Sequence, residues 1–449
     1  MSKKYSYWLD TGKYAMLQKL FSILLGMLSF MVLARIFIPA DFGVWGLFII
    51  ISSVIETCRN ALVRNGYIRF INARPASAKP FIESAAMLTN VSFTILLIIV
   101  LLFSGYFFES LLRANGLGTM MQYYAAGLLL LAPFSWFENF FYSRMDFRAI
   151  FWMYLLRNAG FLAVVLFFYI SESPLDKNMA VIWYSLVLLP GIVAAVYFYK
   201  AHEPVRMVRN IPLLKEFLHY GKYVLGNNFF SLVFVSTDSF MTSRYVSAVA
   251  LSYYGTGTRL LNFADIPSQV LGDIMFPRAA QLVANGTNEE VRRIYEKTVA
   301  ASLTLILPFV LVVLLFTDSI ILVLVGPQYL PARPLIMLLI FYAVFLPFVK
   351  QFGNIMDAKG KPHINFWLMM VMAFFNLLAN YFFIRHFGMF GSAIGTLSSY
   401  VILFLFTQIV LNRMIGVNTF RLLGYIPALY TDYFRMAIQF IKKYKNRKP

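Results

Sequence analysis

Apolar stretches of about 20 residues recur along the whole chain, separated by short polar connections. A helix of that length rises 1.5 Å per residue and crosses the roughly 30 Å hydrocarbon core of a bilayer. The pattern predicts spans at 14–37, 43–64, 81–104, 119–142, 149–170, 180–199, 219–243, 249–279, 295–317, 333–356, 363–384 and 389–412. We therefore expect an all-α polytopic membrane protein with about 12 transmembrane helices. The first span lacks a small-residue cleavage site, so no removable signal peptide is expected.

Basic residues fall mainly on alternate connections. The N-terminal segment, the connections after even-numbered spans and the C-terminal tail hold most of the 39 Lys and Arg residues. The connections on the opposite side hold only Arg35, Arg113, Lys177, Arg244, Arg333 and Arg385. Because cytoplasmic loops carry the excess of cations, both termini are predicted to be cytoplasmic. The formal charge of +19 is thus a topology signal and does not indicate nucleic-acid binding.

The composition excludes an ordinary soluble protein. Hydrophobic residues make up 60% of the chain and charged residues 13%, whereas soluble domains carry about 25% charged residues. The single cysteine, Cys58, cannot form an internal disulfide, and the four histidines lack the spacing of metal ligands. We therefore expect neither a metal site nor a cofactor.

The two halves of the chain resemble each other at an offset of roughly 210 residues. Matching pairs occur in the same order: Pro133-Phe134 with Pro347-Phe348, Met145-Asp146 with Met356-Asp357, and Phe151-Trp152 with Phe366-Trp367. Six spans separate equivalent elements, so both copies share one orientation and predict two parallel six-helix bundles. The predicted domains are an N-terminal lobe at 1–199, a cytoplasmic linker at 200–216, a C-terminal lobe at 217–414 and a basic amphipathic cytoplasmic tail at 415–449 on the inner leaflet.

Polar residues concentrate on one face of the first two spans of each repeat. They are Gln18, Lys19 and Ser22 in span 1; Glu56, Arg59, Asn60 and Arg64 in span 2; Asn227, Asn228, Ser231 and Asp238 in span 7; and Arg259, Asn262, Asp265, Gln269 and Asp273 in span 8. Intramembrane polar groups are costly, so these faces are predicted to border water or substrate in one central cavity. Lys19, Arg59, Arg64 and Arg259 are the predicted substrate contacts, because cations hold phosphate by charge-assisted hydrogen bonds. Asp238 and Asp265 are the candidates for ion coupling.

A purely structural role for the same charges is the alternative. Glu56 would then pair with Arg59 or Asn60, and Asp265 with Arg259 or Asn262, each within its own helix. Arg157 and Glu138-Asn139, in spans 5 and 4, are predicted to make an interhelical polar contact. Arg64 and Lys350 lie near the cytoplasmic edge, where long cationic side chains can reach the headgroups.

Four segments resemble polysaccharide flippases of the multidrug/oligosaccharidyl-lipid/polysaccharide exporter superfamily. They are Leu33–Gly43, which resembles the turn between the first two spans; Gly326–Ala332, after span 9; Ala358–Lys361, after span 10; and Gly388–Thr396, at the entry to span 12. The resemblance implies a two-lobed helical bundle that moves oligosaccharide on undecaprenyl pyrophosphate from the inner to the outer leaflet of a bacterial cytoplasmic membrane. Lipid II flippases of the superfamily have fourteen spans, so the count of twelve favours the O-antigen or capsule branch. Membrane lipids are also expected partners, and the acidic residues Asp238 and Asp265 could carry a coupling proton or sodium ion.

Two other functions stay open at this point. A cation-coupled drug or metabolite exporter of the same fold would use Asp238 and Asp265 as its main site. An enzyme that polymerises or ligates polysaccharide is less favoured, because such enzymes need a sizeable outer loop and the longest outward connection, 105–118, is short. We therefore expect a transporter and not an enzyme.

Overall fold

The computed structural model describes residues 3–73, 75–202, 205, 208, 211–285 and 287–445, and within these ranges the chain is helical with no strand. The α-helices are α1 Lys3–Ile36, α2 Pro39–Ala73, α3 Lys79–Leu112, α4 Leu117–Ser143, α5 Phe147–Ile170, α6 Lys177–Leu186, α7 Leu188–Tyr199, α8 Ile211–Tyr245, α9 Ala248–Asn285, α10 Asn288–Leu315, α11 Thr317–Leu324, α12 Arg333–Leu339, α13 Leu346–Ala358, α14 Pro362–Phe387, α15 Met389–Ile415 and α16 Thr419–Lys445. Short 3₁₀ segments cover Ala76–Ala78, Pro327–Ala332 and Ile340–Val344. The predicted all-α class is confirmed.

The predicted spans coincide with these helices. Among the described residues, 10 helical segments are long and apolar enough to cross a membrane. The other two predicted spans lie in α8 and α9, which are 35 and 38 residues long and carry the polar stripes. Two spans are interrupted: α6 ends at Leu186 before α7, and Pro327–Ala358 combines 3₁₀ turns with α12 and α13. Proline removes a backbone donor, which explains breaks near Pro190 and Pro347.

The chain divides into two compact units, of which unit 1 contains Met1–Ser252 and Leu324–Gln328. In this unit α1 packs along α5, α3 along α4, and α8 against α2 and α3. The close approach of α2 to the first turn of α9 requires glycine at position 43, because a Cβ there would lie 1.8 Å from the carbonyl oxygen of Ala248. The lobe boundaries at 199 and 217 rest on the internal repeat and stay a prediction.

Unit 2 contains Tyr253–Val323 and Tyr329–Pro449. Helix α14 packs along α15, while α10, α13 and α15 surround a core that includes Tyr295, Phe352 and Leu411. The first part of α16 completes this core with Leu422, which is fully buried. A capping box starts α10, because the side chain of Thr287 accepts from the backbone N–H of Glu290 and the Glu290 carboxylate accepts from that of Thr287.

Candidate functional site

Five charged side chains of unit 1 meet between α2, α4 and α5, and we call them the buried charge cluster. Its members are Glu56, Arg59 and Arg64 on α2, Glu138 on α4 and Arg157 on α5. Arg64 Nη2 lies 2.5 Å from Glu138 Oε1, and Arg157 Nη2 lies 2.8 Å from Glu56 Oε1. The predicted interhelical contacts of Arg157 and Glu138 are therefore present. The alternative pairing of Glu56 with Arg59 is wrong, because the carboxylate of Glu56 faces α5 instead.

Neutral groups hold both ion pairs in place. The Tyr154 hydroxyl donates to Glu138 Oε1 at 2.6 Å, and Arg64 Nε donates to Asn139 Oδ1 at 3.1 Å. Arg157 Nη2 also donates to the Tyr184 hydroxyl at 3.0 Å. These bonds satisfy polar atoms that would otherwise be costly at membrane depth, so the two pairs are well fixed.

Arg59 is different, although it is only 1% exposed. Its Nη1 donates to Ser135 Oγ at 3.0 Å, and this hydroxyl in turn lies 3.1 Å from Asn90 Oδ1. Both Nε and Nη2 are buried without a hydrogen-bond partner in the part of the chain that the structure describes. A guanidinium stays charged in proteins, so Arg59 presents two unused donors on one edge of its planar group.

A small cavity adjoins these donors. It has a volume of about 10 Å³, room for one water-sized atom. Its walls are formed by Glu56, Arg59, Asn60, Leu131, Phe134, Ser135, Glu138, Tyr154 and Arg157. Three arginines and two paired glutamates leave the cluster with one positive charge. The arrangement can therefore accept one anionic atom at Arg59.

A second ion pair in the same unit has no net charge. Arg144 Nη2 lies 2.6 Å from Glu83 Oε1, and Arg144 Nη1 donates to the Tyr67 hydroxyl at 3.2 Å. Burial raises the pKa of Tyr67 to about 12, although the charge of Arg144 opposes the shift. This neutral pair, at the cytoplasmic ends predicted for these helices, offers a matched comparison for the cluster.

The other predicted site residues have different surroundings. Lys19 on α1 and Arg259 on α9 are exposed, whereas Asp238 on α8 is 7% exposed. Asp265 on α9 is 8% exposed and pairs with Lys350 of α13. The alternative named Arg259 or Asn262 as the partner of Asp265. In the structure the cation that pairs with Asp265 comes from α13, and the residue of its own helix that donates to it, at 3.0 Å, is Gln269. The side chains of Asn227, Asn228, Ser231 and Asp273 lie outside the described residues.

Helical periodicity predicted that Arg59 and Arg64 share one face of α2. It did not identify the residues on other helices that hydrogen-bond to the cluster. Ser135, Tyr154 and Tyr184 were not identified, and Lys350 was expected to reach the headgroups. A usable signal existed for Lys350, because no acidic residue lies three or four positions away on its own helix. An intramembrane cation without such a neighbour needs a partner from another helix.

The fold is similar to that of solved membrane transporters. An inward-facing multidrug resistance transporter of the MATE family, in the MOP superfamily, superposes with a TM-score of 0.75 at 12% identity, covering 87% of this chain and 95% of that one. The lipid II flippase MurJ in an inward closed conformation gives 0.71 at 12% identity, covering 93% and 92%. The chain thus has the multi-pass membrane transporter fold that the resemblance implied.

The family is more specific than the fold. The profile described as "Polysaccharide biosynthesis protein" matches residues 32–334, more than half of the chain, and the chain belongs to that family. An uncharacterized membrane protein of Methanocaldococcus jannaschii is 25% identical over 258 residues, 57% of this chain and 51% of that protein. The "Probable low-salt glycan biosynthesis flippase Agl15" of Haloferax volcanii is 22% identical over 193 residues, 42% of this chain and 40% of that protein. The matched parts are about half of these relatives or less.

Proposed function

We propose that this protein flips undecaprenyl-pyrophosphate-linked oligosaccharide from the inner to the outer leaflet of a bacterial cytoplasmic membrane, for surface polysaccharide assembly. Membership of the polysaccharide biosynthesis family, the flippase named among its relatives and the transporter fold support this function. The protein makes and breaks no bond in this proposal. Its work is to carry a polar headgroup past hydrocarbon that the headgroup cannot enter.

The single observation that carries the proposal is the state of Arg59. Its Nε and Nη2 are buried without acceptors beside a cavity that has room for one atom of the size of oxygen. A phosphoryl oxygen is a charged acceptor, and a guanidinium edge offers two parallel donors to such groups. Binding one phosphoryl oxygen would use both donors and neutralise the extra positive charge of the cluster.

Arg64 has a different part in this proposal. It pairs with Glu138, which is 4% exposed, and thereby compensates the charge of that carboxylate. Lys19 and Arg259 are exposed and stay proposed contacts for the rest of the anionic headgroup. Asp238 and Asp265 stay proposed coupling groups for a proton or a sodium ion.

Alternating access is the proposed mode of transport. The headgroup would cross in a hydrated cavity while the polyprenyl tail stays in lipid. Solved transporters of this fold have been captured in inward-facing and outward-facing conformations, which supports the same cycle here.

The proposal is tested by deleting the gene in its host and analysing the lipid carriers on each face of the membrane. Flipping predicts that sugar-loaded polyprenyl pyrophosphate accumulates on the inner leaflet and that surface glycan falls. Normal surface glycan with altered drug sensitivity would favour the exporter instead. Loss of the sugar polymer with carriers already on the outer leaflet would favour the polymerising enzyme.

A further inference from the structure

Asp265 on α9 occupies an unusual position for a carboxylate in unit 2. It is 8% exposed, and its Oδ2 accepts from Lys350 Nζ and, at 3.0 Å, from Gln269 Nε2. Its Oδ1 is buried and has no hydrogen-bond partner among the residues that the structure describes. A buried carboxylate needs a cation, because an uncompensated charge away from water is strongly unfavourable.

Further oxygen atoms lie on the same face of α9. Ser268 and Gln269 follow Asp265 by three and four positions, which places all three side chains together. Ser268 is 0% exposed and its hydroxyl has no partner within the described ranges. Carboxylate, hydroxyl and amide oxygens of this kind are the ligands that hard cations prefer.

Helix α13 is fixed against this face. Gln351 Nε2 donates to the carbonyl oxygen of Ser268 at 3.0 Å, and Asn354 Nδ2 donates to Gln351 Oε1 at 2.9 Å. A Cβ at Gly272 would lie 2.9 Å from Asn354 Nδ2, so the two helices approach closely. These contacts hold the stem of Lys350 in register with Asp265.

We propose that Asp265, Ser268 and Gln269 form a site for a small monovalent cation, which Lys350 fills with its own ammonium group. The Lys ammonium is a compact point charge on a flexible stem, and it can stand where a hydrated ion would otherwise bind. In the wild-type protein a diffusing sodium ion therefore does not bind at Asp265. Of the two coupling ions proposed above, only the proton then remains for Asp265, and a sodium requirement would have to come from another site.

Removal of the Lys350 ammonium should leave the site free to bind sodium. We expect the purified full-length Lys350→Met variant to have a lower thermal midpoint than wild type in choline chloride. Sodium chloride at equal ionic strength should raise that midpoint saturably, by about 3–5 °C, because an ion that binds only the folded state stabilises it. The wild-type midpoint should be the same in both salts.

Two controls separate ion binding from general salt effects. Lys359 directly follows α13, and its ammonium donates to Asn288 Oδ1. The Lys359→Met variant should show no sodium response. Asp265→Asn combined with Lys350→Met removes both charges and should be insensitive to sodium. Equal midpoints of Lys350→Met in sodium and choline, or a sodium response that survives in the double variant, would overturn the proposal.

The test does not depend on transport. If Lys350→Met is too unstable to purify in choline, recovery of folded protein only when sodium is present throughout supports the site. Failure to recover it in sodium, potassium and choline alike overturns the site. Either result leaves the proposed flippase function to be judged by its own experiment.

Discussion

The ion pair between Arg64 and Glu138 allows a quantitative test of the buried charge cluster. Glu138 is 4% exposed and accepts at 2.5 Å from Arg64 and at 2.6 Å from the Tyr154 hydroxyl. Glu138→Gln replaces the carboxylate by an amide of similar shape and leaves the cluster with a second uncompensated cation. Breaking a buried pair costs about 3–5 kcal/mol, and the 22% exposure of the Arg64 side chain reduces this to about 2–3 kcal/mol.

A double-mutant cycle isolates the pair from its surroundings. We expect Glu138→Gln and Arg64→Gln each to lower the free energy of unfolding in detergent, and the double variant to lose less than their sum by about 1–2 kcal/mol. Equilibrium unfolding of the purified protein, followed by tryptophan fluorescence, measures each corner of the cycle. Additive losses within about 0.5 kcal/mol would refute the pairing.

Two comparison pairs define the scale of this coupling. Arg144 and Glu83 are 2.6 Å apart with side chains 17% and 6% exposed, so their coupling should be similar. Arg293 and Glu289 are 3.6 Å apart with both side chains 61% exposed, and solvent screening should reduce their coupling to nearly zero. A coupling at the exposed pair as large as at Arg64 would show that burial is not the cause.

Three further substitutions test the packing of the fold. Gly43→Ala should lower the thermal midpoint and the yield of folded protein, because its Cβ would overlap the carbonyl of Ala248; a yield and midpoint equal to wild type would contradict that approach. Thr287→Ala should cost about 1 kcal/mol of unfolding free energy by removing the cap of α10, and Thr287→Ser should restore it. Leu422→Ala should cost about 2–5 kcal/mol and make α16 sensitive to limited proteolysis, whereas an unchanged digestion pattern would mean that α16 is not part of the core.

The span pattern was predictable because it depends only on length and hydropathy. An apolar stretch of about 20 residues has few alternatives to a membrane helix, whatever its neighbours are. Breaks inside spans were less evident, since Pro133 stays inside the continuous helix α4 while a 3₁₀ segment precedes Pro347. Whether a proline bends or ends a helix depends on tertiary contacts that satisfy the freed carbonyl.

Partner choice in the cluster was not predictable from spacing. Glu56 has Arg59 three positions away, yet it pairs with Arg157, which is 101 positions away. Helical periodicity identifies the face that a side chain occupies, but the rotation of each helix and the depth of its neighbours decide which charges meet. Arg157 did carry a signal, because it lies inside a span without an acidic residue three or four positions away.

The most direct measurement is the rate at which the purified protein flips glycan-linked polyprenyl pyrophosphate in proteoliposomes, compared between wild type, Arg59→Gln and Arg144→Gln. Loss of charge-assisted hydrogen bonds worth about 1.5–3 kcal/mol should slow Arg59→Gln by roughly 10–100-fold at subsaturating substrate. Arg144→Gln removes an ion-paired arginine outside the cluster, and it should retain a rate near wild type once corrected for the amount of folded protein. A flipping rate equal to that of wild type in a folded Arg59→Gln variant would contradict the assignment of the phosphate contact to Arg59.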